Sequence, residues 1–259
     1  MTIIYANRGD LDTHSMPDLW KDIKVDCLVE IRPETDDYEE CINDALSKEQ
    51  DMLILCGHGT EQGLLHPGYK SSHNFEYLVH EDNVKLIRAK KVFGFFCFAA
   101  DFAELYKLPG FFSGMFITNE REAKRYNITT KHSDNGDIDV DIHNYELYFI
   151  NAIHWLLKNQ VPLSNWLDYL NKDSINHTNV IGCFNFDKLR YYDSFDHDSF
   201  NEAELKEWLH GIWRRDNHPK YQQYFESWFN NTTDSQRQYF WKQKENIENG
   251  SLTNWITRR

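Results

Sequence analysis

The amino-acid sequence predicts an α/β fold in which helices flank a mostly parallel sheet, with an aromatic-rich helical extension at the C-terminus. In the first 193 residues, short apolar runs alternate with segments of helical periodicity, which is the pattern of strand–helix–strand units. The runs MLILC (residues 52–56) and VFGFF (residues 92–96) are continuously apolar, as is typical of strands that are covered on both faces. From residue 201 onward the pattern is helical and rich in Trp, Tyr and Phe.

The remaining elements follow from local patterns. In chain order we expect strands at residues 2–6, 26–31, 52–56, 92–96, 115–118 and 179–186, and helices at residues 36–48, 83–89, 99–106 and 145–158. Another helix begins at Pro162, where Ser164 can cap it. Residues 131–144 are polar and acidic, which predicts a loop. We expect one domain over residues 1–193 and a helical extension over residues 194–259 that packs on it.

Composition and charge argue against several classes of protein. The formal net charge is −13, from 41 acidic and 28 basic side chains, and an acidic surface repels phosphate backbones, so we expect no nucleic-acid partner. No apolar run approaches the roughly 18 residues that a membrane span needs, and no signal peptide is evident. The five cysteines are scattered without a CxxC pair, which argues against a zinc ribbon. We therefore expect a cytoplasmic protein with no membrane partner.

Two chemically reactive residues follow the two continuously apolar runs. His58 comes after LILCG and Cys97 after VFGFF, 39 positions further on. Ligands bind at the carboxyl ends of the strands in open parallel sheets, so we expect both side chains at one edge of the sheet. A thiolate is a strong nucleophile, and a nearby imidazole can take the thiol proton. The backbone N–H groups of Gly59 and Cys97 are the candidate donors to an oxyanion, since Gly59 has no side chain and a predicted helix begins just after Cys97.

This pair of motifs resembles the clan CD cysteine peptidases, the group of the caspases, gingipains, legumains and CHAT-type peptidases. The group shares an apolar block, His-Gly, a spacer, a second apolar block and Cys, which are here LILCGHG and VFGFFC. GLLHP (residues 63–67) is similar to the group's short hairpin between the two catalytic strands. The resemblance covers about residues 1–193 and implies a caspase-like α/β/α sandwich. It implies a cysteine endopeptidase with Cys97 as the nucleophile and His58 as the acid and base.

The resemblance also implies where a substrate binds. Residues 115–123 (MFITNEREA) resemble the strand that lines the group's primary specificity pocket, which would bring Asn119 and Glu120 to the substrate side chain. Glu120 can pair with Lys or Arg, giving the hypothesis that cleavage follows a basic residue; Glu120 in solvent on the next turn is the alternative. The implied partners are a protein or peptide substrate and a regulatory protein held by the C-terminal helices. Activation by a partner, by processing or by a small ligand, and a role in bacterial immunity, fit the group by analogy.

Two other functions stay open. The residues around Cys97 read Phe-Cys-Phe-Ala-Ala, which departs from the caspase signature Gln-Ala-Cys-x-Gly and leaves the subfamily open. A catalytically inactive caspase-like scaffold that binds a protein is the alternative function. A Rossmann-like ligand sensor is the second alternative, but it would need a Gly-rich turn after the first strand, which residues 6–9 (ANRG) do not supply.

We expect neither a metal ion nor a cofactor. The 12 histidines include no HxH or HExxH pair, which argues against a metallohydrolase. The acidic residues Asp134, Asp137, Asp139 and Asp141 could share Ca²⁺, but the stretch lacks the Gly and Glu that an EF-hand loop needs. A solvated acidic loop, or one that faces a basic substrate, is the other interpretation.

Overall fold

The computed structural model describes residues 1–69, 75–129, 133 and 136–193, together with seven single positions nearer the C-terminus. The chain divides into two compact units, Met1–Phe195 and Asp196–Arg259. In the second unit, Phe225 and Phe229 stack one helical turn apart, with ring centroids separated by 5.9 Å. The cations of Lys206 and Arg237 lie 5.6 and 4.9 Å from the centroid of the Phe229 ring, within cation–π range. Most of the predicted helical extension lies outside the described residues.

A mostly parallel six-stranded sheet organises the first unit. The strands among its described residues are β1 (Thr2–Ala6), β2 (Cys27–Ile31), β3 (Gln50–Cys56), β4 (Gly59–Thr60), β5 (Gly63–Leu65), β6 (Tyr77–Val79), β7 (Ala89–Phe95), β8 (Gly110–Phe112) and β9 (Arg190–Tyr192). The main sheet has the order β2-β1-β3-β7-β8-β9, and β4, β5 and β6 form a separate small sheet. In the main sheet, β9 is antiparallel to β8 and the other neighbours are parallel. The mostly parallel sheet is therefore confirmed.

Helices connect and cover these strands. They are α1 (Glu39–Ser47), α2 (Ala99–Tyr106), α3 (Glu120–Arg125), α4 (Ile138–Lys158), α5 (Trp166–Leu170), α6 (Ile175–Thr178) and α7 (Val180–Asp187), with 3-10 turns at Met16–Trp20, Val84–Leu86 and Leu163–Asn165. None of the helices in the described part of the chain has the length and apolar character to cross a membrane.

The alternation of side chains along β3 gives the unit one apolar core on each face of the main sheet. Ile54 and Cys56 belong to a core shared with α4, α5 and α7. Leu53 and Leu55 belong to a second core, shared with α1 and α2. All four side chains are fully buried. Burial on both faces explains why this strand is continuously apolar in the sequence, and the α/β prediction is confirmed.

The strand predicted at residues 179–186 is wrong. The segment forms α7, because the Asn179 side chain caps the helix by accepting a hydrogen bond from Gly182 N–H at 2.9 Å. The loop predicted at residues 131–144 is wrong from Ile138 onward, where α4 begins. Asp137 caps that helix, and the acidic residues of its first turn favour the helix N-terminus.

The strand predicted at residues 115–118 is wrong, because this segment joins no strand among the described residues. The strand that pairs with β7 is β8, a few residues earlier. Both backbone groups of Ile117 bond instead to the buried side chain of Asn185, at 2.8 Å to Oδ1 and 3.1 Å from Nδ2. A side-chain amide thus takes the place of a neighbouring strand. The helix predicted at residues 83–89 shrinks to the 3-10 turn Val84–Leu86, because β7 already begins at Ala89.

The pairing of β3 with β7 sets the edge of the sheet where both strands end. Cys56 lies opposite Phe95 in this parallel pair. Beyond it, the Phe96 ring packs against Gly59, where an added Cβ would lie 2.1 Å from Cδ2 of that ring. Only glycine fits at position 59, so packing joins the end of β7 to the start of β4.

Gly59→Ala should destabilise the protein, because the added methyl group would overlap the Phe96 ring and lie 2.9 Å from the carbonyl oxygen of Gly63. We expect a loss of about 1–3 kcal/mol in the free energy of unfolding, the usual cost of overpacking. Urea denaturation measures this loss.

Phe96→Leu supplies the matched background for this substitution. Leucine lacks the ring edge that meets the methyl group, so Gly59→Ala should cost less in the Phe96→Leu protein than in the wild type. Equal costs in the two backgrounds would contradict the contact.

Candidate active site

His58 and Cys97 line one cavity at the carboxyl edge of the main sheet, which we call the sheet-edge cavity. Each residue lies two positions beyond the Cys56–Phe95 pair, so the parallel register brings them to the same edge. The cavity has a volume of about 30 Å³. Its other described lining residues are Asp12, Ser15, Met16, Gly57, Phe95, Phe96, Phe116, Thr118, Glu122, Glu146, Phe149 and Ile150.

Cys97 lies on a tight turn between β7 and α2. The next residue, Phe98, has φ 66° and ψ 21°, a left-handed conformation that costs a residue with a side chain roughly 1–2 kcal/mol. Phe98 N–H donates to Gly114 O at 3.0 Å, and Ser113 Oγ donates to Phe96 O at 2.8 Å. These bonds hold the strained turn, and strain of this kind clusters at functional sites.

The surroundings of the Cys97 thiol favour its protonated form. Its Sγ donates to Phe116 O over 3.6 Å. Burial, and then the negative charges of Glu122 and Asp12, raise its pKa to about 12. Burial therefore opposes formation of a thiolate first, and these negative charges oppose it second.

His58 is held by a carboxylate that follows β1. Its Nε2 lies 2.8 Å from Oδ2 of Asp10, and Thr13 donates to Oδ1 of Asp10 from its N–H at 3.2 Å and its Oγ1 at 2.8 Å. Burial would raise the pKa of Asp10, but His58, Thr13 and Arg8 keep that pKa below its ordinary value. An ionised Asp10 only accepts hydrogen bonds, so Nε2 of His58 carries a proton. In the neutral ring, Nδ1 is then the nitrogen left to act as a base.

Asp10 is a candidate functional residue that the sequence patterns do not single out. It lies in the loop after β1, and no local motif marks it. Because β1 pairs with β3, this loop meets His58 at the same edge of the sheet. The strand order was the missing information, since neighbouring strands bring their C-terminal loops together.

The backbone N–H groups of Gly59 and Cys97, predicted to bind an oxyanion, take no part in the ladders of the described strands. Gly59 lies opposite Leu64 in the antiparallel β4–β5 pair, and Leu65 N–H donates to His58 O at 2.9 Å. The Gly59–Leu64 pair is therefore a non-hydrogen-bonded one, whose N–H groups point away from the partner strand. Within the described part of the chain, the Cys97 N–H has no backbone acceptor.

Asn119 and Glu120, predicted to contact a substrate side chain, lie at the start of α3. Asn119 caps the helix through Oδ1, which accepts from Glu122 N–H at 3.1 Å. Glu120 pairs with Lys124 one turn further on, at 2.8 Å. Both line a second surface hollow around α3, whereas Glu122 lines that hollow and the sheet-edge cavity.

Three carboxylates face the sheet-edge cavity: those of Asp12, Glu122 and Glu146. Oε2 of Glu122 accepts hydrogen bonds from the N–H and Oγ1 of Thr118, at 3.0 and 3.2 Å. Oε1 of Glu146 accepts from Ser15 Oγ at 2.7 Å. Burial and the charge of Asp12 raise the pKa of Glu122, in spite of the hydrogen bonds from Thr118.

A further carboxylate lies in the first turn of α2, four residues after Cys97. Burial, and then the negative charges of Glu104 and Glu61, raise the pKa of Asp101 to about 6. The positive charge of Arg190 lowers this pKa but does not cancel those causes.

Asp10, Asp12 and His58 meet the distance requirement of a metal site, since one ligand atom of each lies within 4.8 Å of the others. Two interactions compete with an ion there. Nε2 of His58 already bonds to Asp10, and the Arg8 Nε lies 3.4 Å from the same carboxylate oxygen.

Most of the acidic stretch considered for Ca²⁺ lies at the N-terminus of α4. Asp137 caps that helix, Asp139 lies in its first turn and Asp141 is buried. These three do not form a group with metal-ligand spacing among the described residues, and Asp134 lies outside them.

Comparison of the chain with protein-family models, with curated proteins and with solved structures finds no match. The chemistry of the site must therefore be inferred from its own residues.

Asp101→Asn should raise the melting temperature near pH 7.5. The folded-state pKa of Asp101 is about 6, against an ordinary value near 3.9, so the ionised carboxylate destabilises the folded state at neutral pH. The penalty fades as the pH falls from about 6 towards 4, because the folded protein then takes up the proton first. Differential scanning calorimetry across this range should show a gain that shrinks to nothing near pH 4.

Asp51→Asn is the control for this experiment, because it removes an exposed carboxylate that pairs with Lys90. It should give no gain at any pH. A gain for Asp101→Asn that did not change with pH would contradict the charge explanation.

Proposed function

We propose that this chain is a cysteine endopeptidase in which Cys97 is the nucleophile and His58 is the acid and base. The shared cavity carries the proposal, because the adjacent ends of β3 and β7 bring a thiol and an imidazole to one space. Asp10 adds support, since an imidazole held through Nε2 offers Nδ1 as a base. Nucleophile, base and orienting group are the parts that nucleophilic catalysis needs.

Peptide-bond hydrolysis would follow in two stages. The Cys97 thiol gives its proton to Nδ1 of His58, and Sγ bonds to the substrate carbonyl carbon. The N–H groups of Gly59 and Cys97 stabilise the resulting oxyanion. The C–N bond then breaks, the leaving amine takes the proton from His58, and a thioester remains. Water gives a proton to His58 and attacks the thioester carbon; the acid product leaves, and the proton returns to the sulfur.

The fold supports a clan CD relationship as part of the same proposal. The resemblance implies a mostly parallel sheet with helices on both faces and a short hairpin between the two catalytic strands, and the small β4-β5-β6 sheet lies between β3 and β7 in the chain. We assign a caspase-like fold to residues 1–193 on this basis. The substrate would be a protein or peptide, and the C-terminal helices are the candidate site for a regulatory partner. A cytoplasmic role in bacterial immunity remains an analogy with the group.

One observation favours the alternative of a non-catalytic scaffold. Among the residues that the structure describes, the thiol of Cys97 bonds to Phe116 O, 3.6 Å away, rather than to His58. Catalysis requires Sγ to turn from that carbonyl towards the imidazole, and catalytic contacts often tighten only when substrate is bound. A scaffold would keep the thiol buried and protonated and would bind its protein partner without hydrolysis.

Cys97→Ala should abolish cleavage of a peptide library while the fold stays intact, because alanine removes the nucleophile and little volume. Mass spectrometry of the digested library measures cleavage, and circular dichroism measures folding. Cys183→Ala, at an exposed cysteine outside the cavity, is the matched control and should stay fully active.

Cleavage of the library by Cys97→Ala at the wild-type level would contradict the peptidase proposal. Binding of peptides by a wild-type protein that never cleaves them would favour the scaffold.

Asp10→Asn should lower kcat with little change in KM, because an amide no longer fixes the tautomer of His58. We expect a loss of roughly 10²- to 10⁴-fold, the range that general acid–base catalysis supplies. Steady-state kinetics on a cleaved library peptide measures it. Asp44→Asn, which removes an exposed carboxylate paired with Lys48, is the control. An Asp10→Asn variant that raises KM and leaves kcat unchanged would argue against an orienting role for Asp10.

A further inference from the structure

The sheet-edge cavity carries negative charge that its described lining does not offset. Asp12, Glu122 and Glu146 face it, and none of its described lining residues is a lysine or an arginine. Thr118 and Ser15 donate hydrogen bonds to Glu122 and Glu146. These neutral donors fix the carboxylates in place without removing their charge.

Two exposed carboxylates outside the cavity do have basic partners. Asp44 pairs with Lys48 at 2.7 Å, and Glu120 pairs with Lys124 at 2.8 Å. A partly buried carboxylate without such a partner is costly, and the cost falls when a cation enters. Burial and then the charge of Asp12 raise the pKa of Glu122, as expected for a carboxylate without a basic partner in the cavity.

The rest of the lining suits the stem of a long basic side chain. Met16, Phe116, Phe149 and Ile150 supply apolar walls. Lysine and arginine pack their methylene groups along such walls and present the charged group at the end. The volume of about 30 Å³ exceeds the roughly 10–15 Å³ that one water molecule needs in a cavity, so a small charged headgroup fits.

The same carboxylates act on the candidate nucleophile. Burial is the largest cause of the raised pKa of the Cys97 thiol, and the charges of Glu122 and Asp12 add to it. A cation bound between them would offset these charges and favour the thiolate, because a nearby opposite charge stabilises the ionised form.

We infer that the sheet-edge cavity takes the cationic side chain of a lysine or arginine residue of the substrate, that Glu122 is the specificity-determining residue, and that this bound cation makes Cys97 reactive. The inference rests on the proposed peptidase function and names its substrate class. It assigns to Glu122 the role that the sequence suggested for Glu120, since Glu122 lines the cavity and Glu120 pairs with Lys124. Substrate choice and thiol activation then come from the same charges.

Peptide cleavage tests the specificity. Peptides that carry lysine or norleucine, or arginine or citrulline, at one position differ in charge while keeping a similar shape. The wild type should favour each cationic peptide by roughly tenfold or more in kcat/KM, which corresponds to about 1.4 kcal/mol. Glu122→Gln should lose this preference, and its remaining amide oxygen can still accept from Thr118. Glu120→Gln, two residues away, is the matched control and should keep the preference.

Two results would overturn the specificity assignment. One is a wild type that cleaves cationic and neutral peptides equally well. The other is a preference that Glu120→Gln loses and Glu122→Gln keeps.

Alkylation of Cys97 by iodoacetamide tests activation without any cleavage, since it forms an Sγ–C bond, releases iodide and gives the thiol proton to the buffer. The probe is n-butylammonium, with EDTA present and the ionic strength matched by NaCl; n-butanol is the neutral control. Butylammonium should accelerate alkylation of Cys97 several-fold in the wild type and in Glu120→Gln, and n-butanol should not. Glu122→Gln should react faster than the wild type without the cation and gain nothing from it. Cys183 in the same digest is the internal reference.

The two experiments separate the failure of this inference from the failure of the proposed function. Cleavage that depends on Cys97 but shows no charge preference overturns the inference and keeps the peptidase. Alkylation accelerated by the cation in a protein that cleaves nothing overturns the peptidase and keeps the cation site. Unchanged or slower alkylation in the presence of butylammonium overturns the activation step.

Discussion

The packing of the Phe96 ring against Gly59 joins the ends of two neighbouring strands, and the positions of both reactive side chains depend on it. Parallel pairing keeps β3 and β7 in register as far as the edge of the sheet. There the chain leaves the ladder at Gly57, whose φ of 144° suits glycine. Beyond that point the contact between the Phe96 ring and the Gly59 backbone holds the two segments together. His58 and Cys97 are the sequence neighbours of these two residues, so packing sets their relative position.

The two reactive groups lie in electrostatic environments of opposite character. His58 is held by the ionised carboxylate of Asp10, which accepts hydrogen bonds from Thr13 and lies near the Arg8 guanidinium. The Cys97 thiol is buried and lies in the field of Glu122 and Asp12, whose negative charges disfavour a thiolate. In the proposed mechanism, His58 is thus oriented to act as a base while the Cys97 thiol stays protonated until substrate binds. The acidic balance of the whole chain, with a net charge of −13, would favour the approach of a basic peptide.

The sequence predicts the buried framework because its signals there are local and strong. β1 and α2 match their expected bounds, since apolar runs and helical periodicity report burial directly. The segment at residues 179–186 is equally apolar, and only its cap at Asn179 and the burial of Ile181 in the core with α4 decide that it is a helix. Short apolar runs do not distinguish a strand from a buried helix.

Two residues of the candidate site are not predicted from the sequence, because their placement depends on non-local geometry. Asp10 meets His58 only because β1 lies beside β3 in the sheet, and strand order is not written in any one segment. Glu122 rather than Glu120 lines the cavity because Asn119 fixes the first turn of a six-residue helix. The phase of so short a helix cannot be read from hydrophobic periodicity.

The most direct test of the site is whether Cys97 and His58 act as one unit. A peptidyl acyloxymethyl ketone that ends in lysine forms a thioether with an activated cysteine and releases a carboxylate, and mass spectrometry of the digested protein identifies the labelled residue. If the pair works as proposed, the label lies on Cys97 in the wild type and is largely lost in a folded His58→Ala variant. Equal labelling of Cys97 in both proteins, or a label that lies mainly on Cys41 or Cys183, would contradict it.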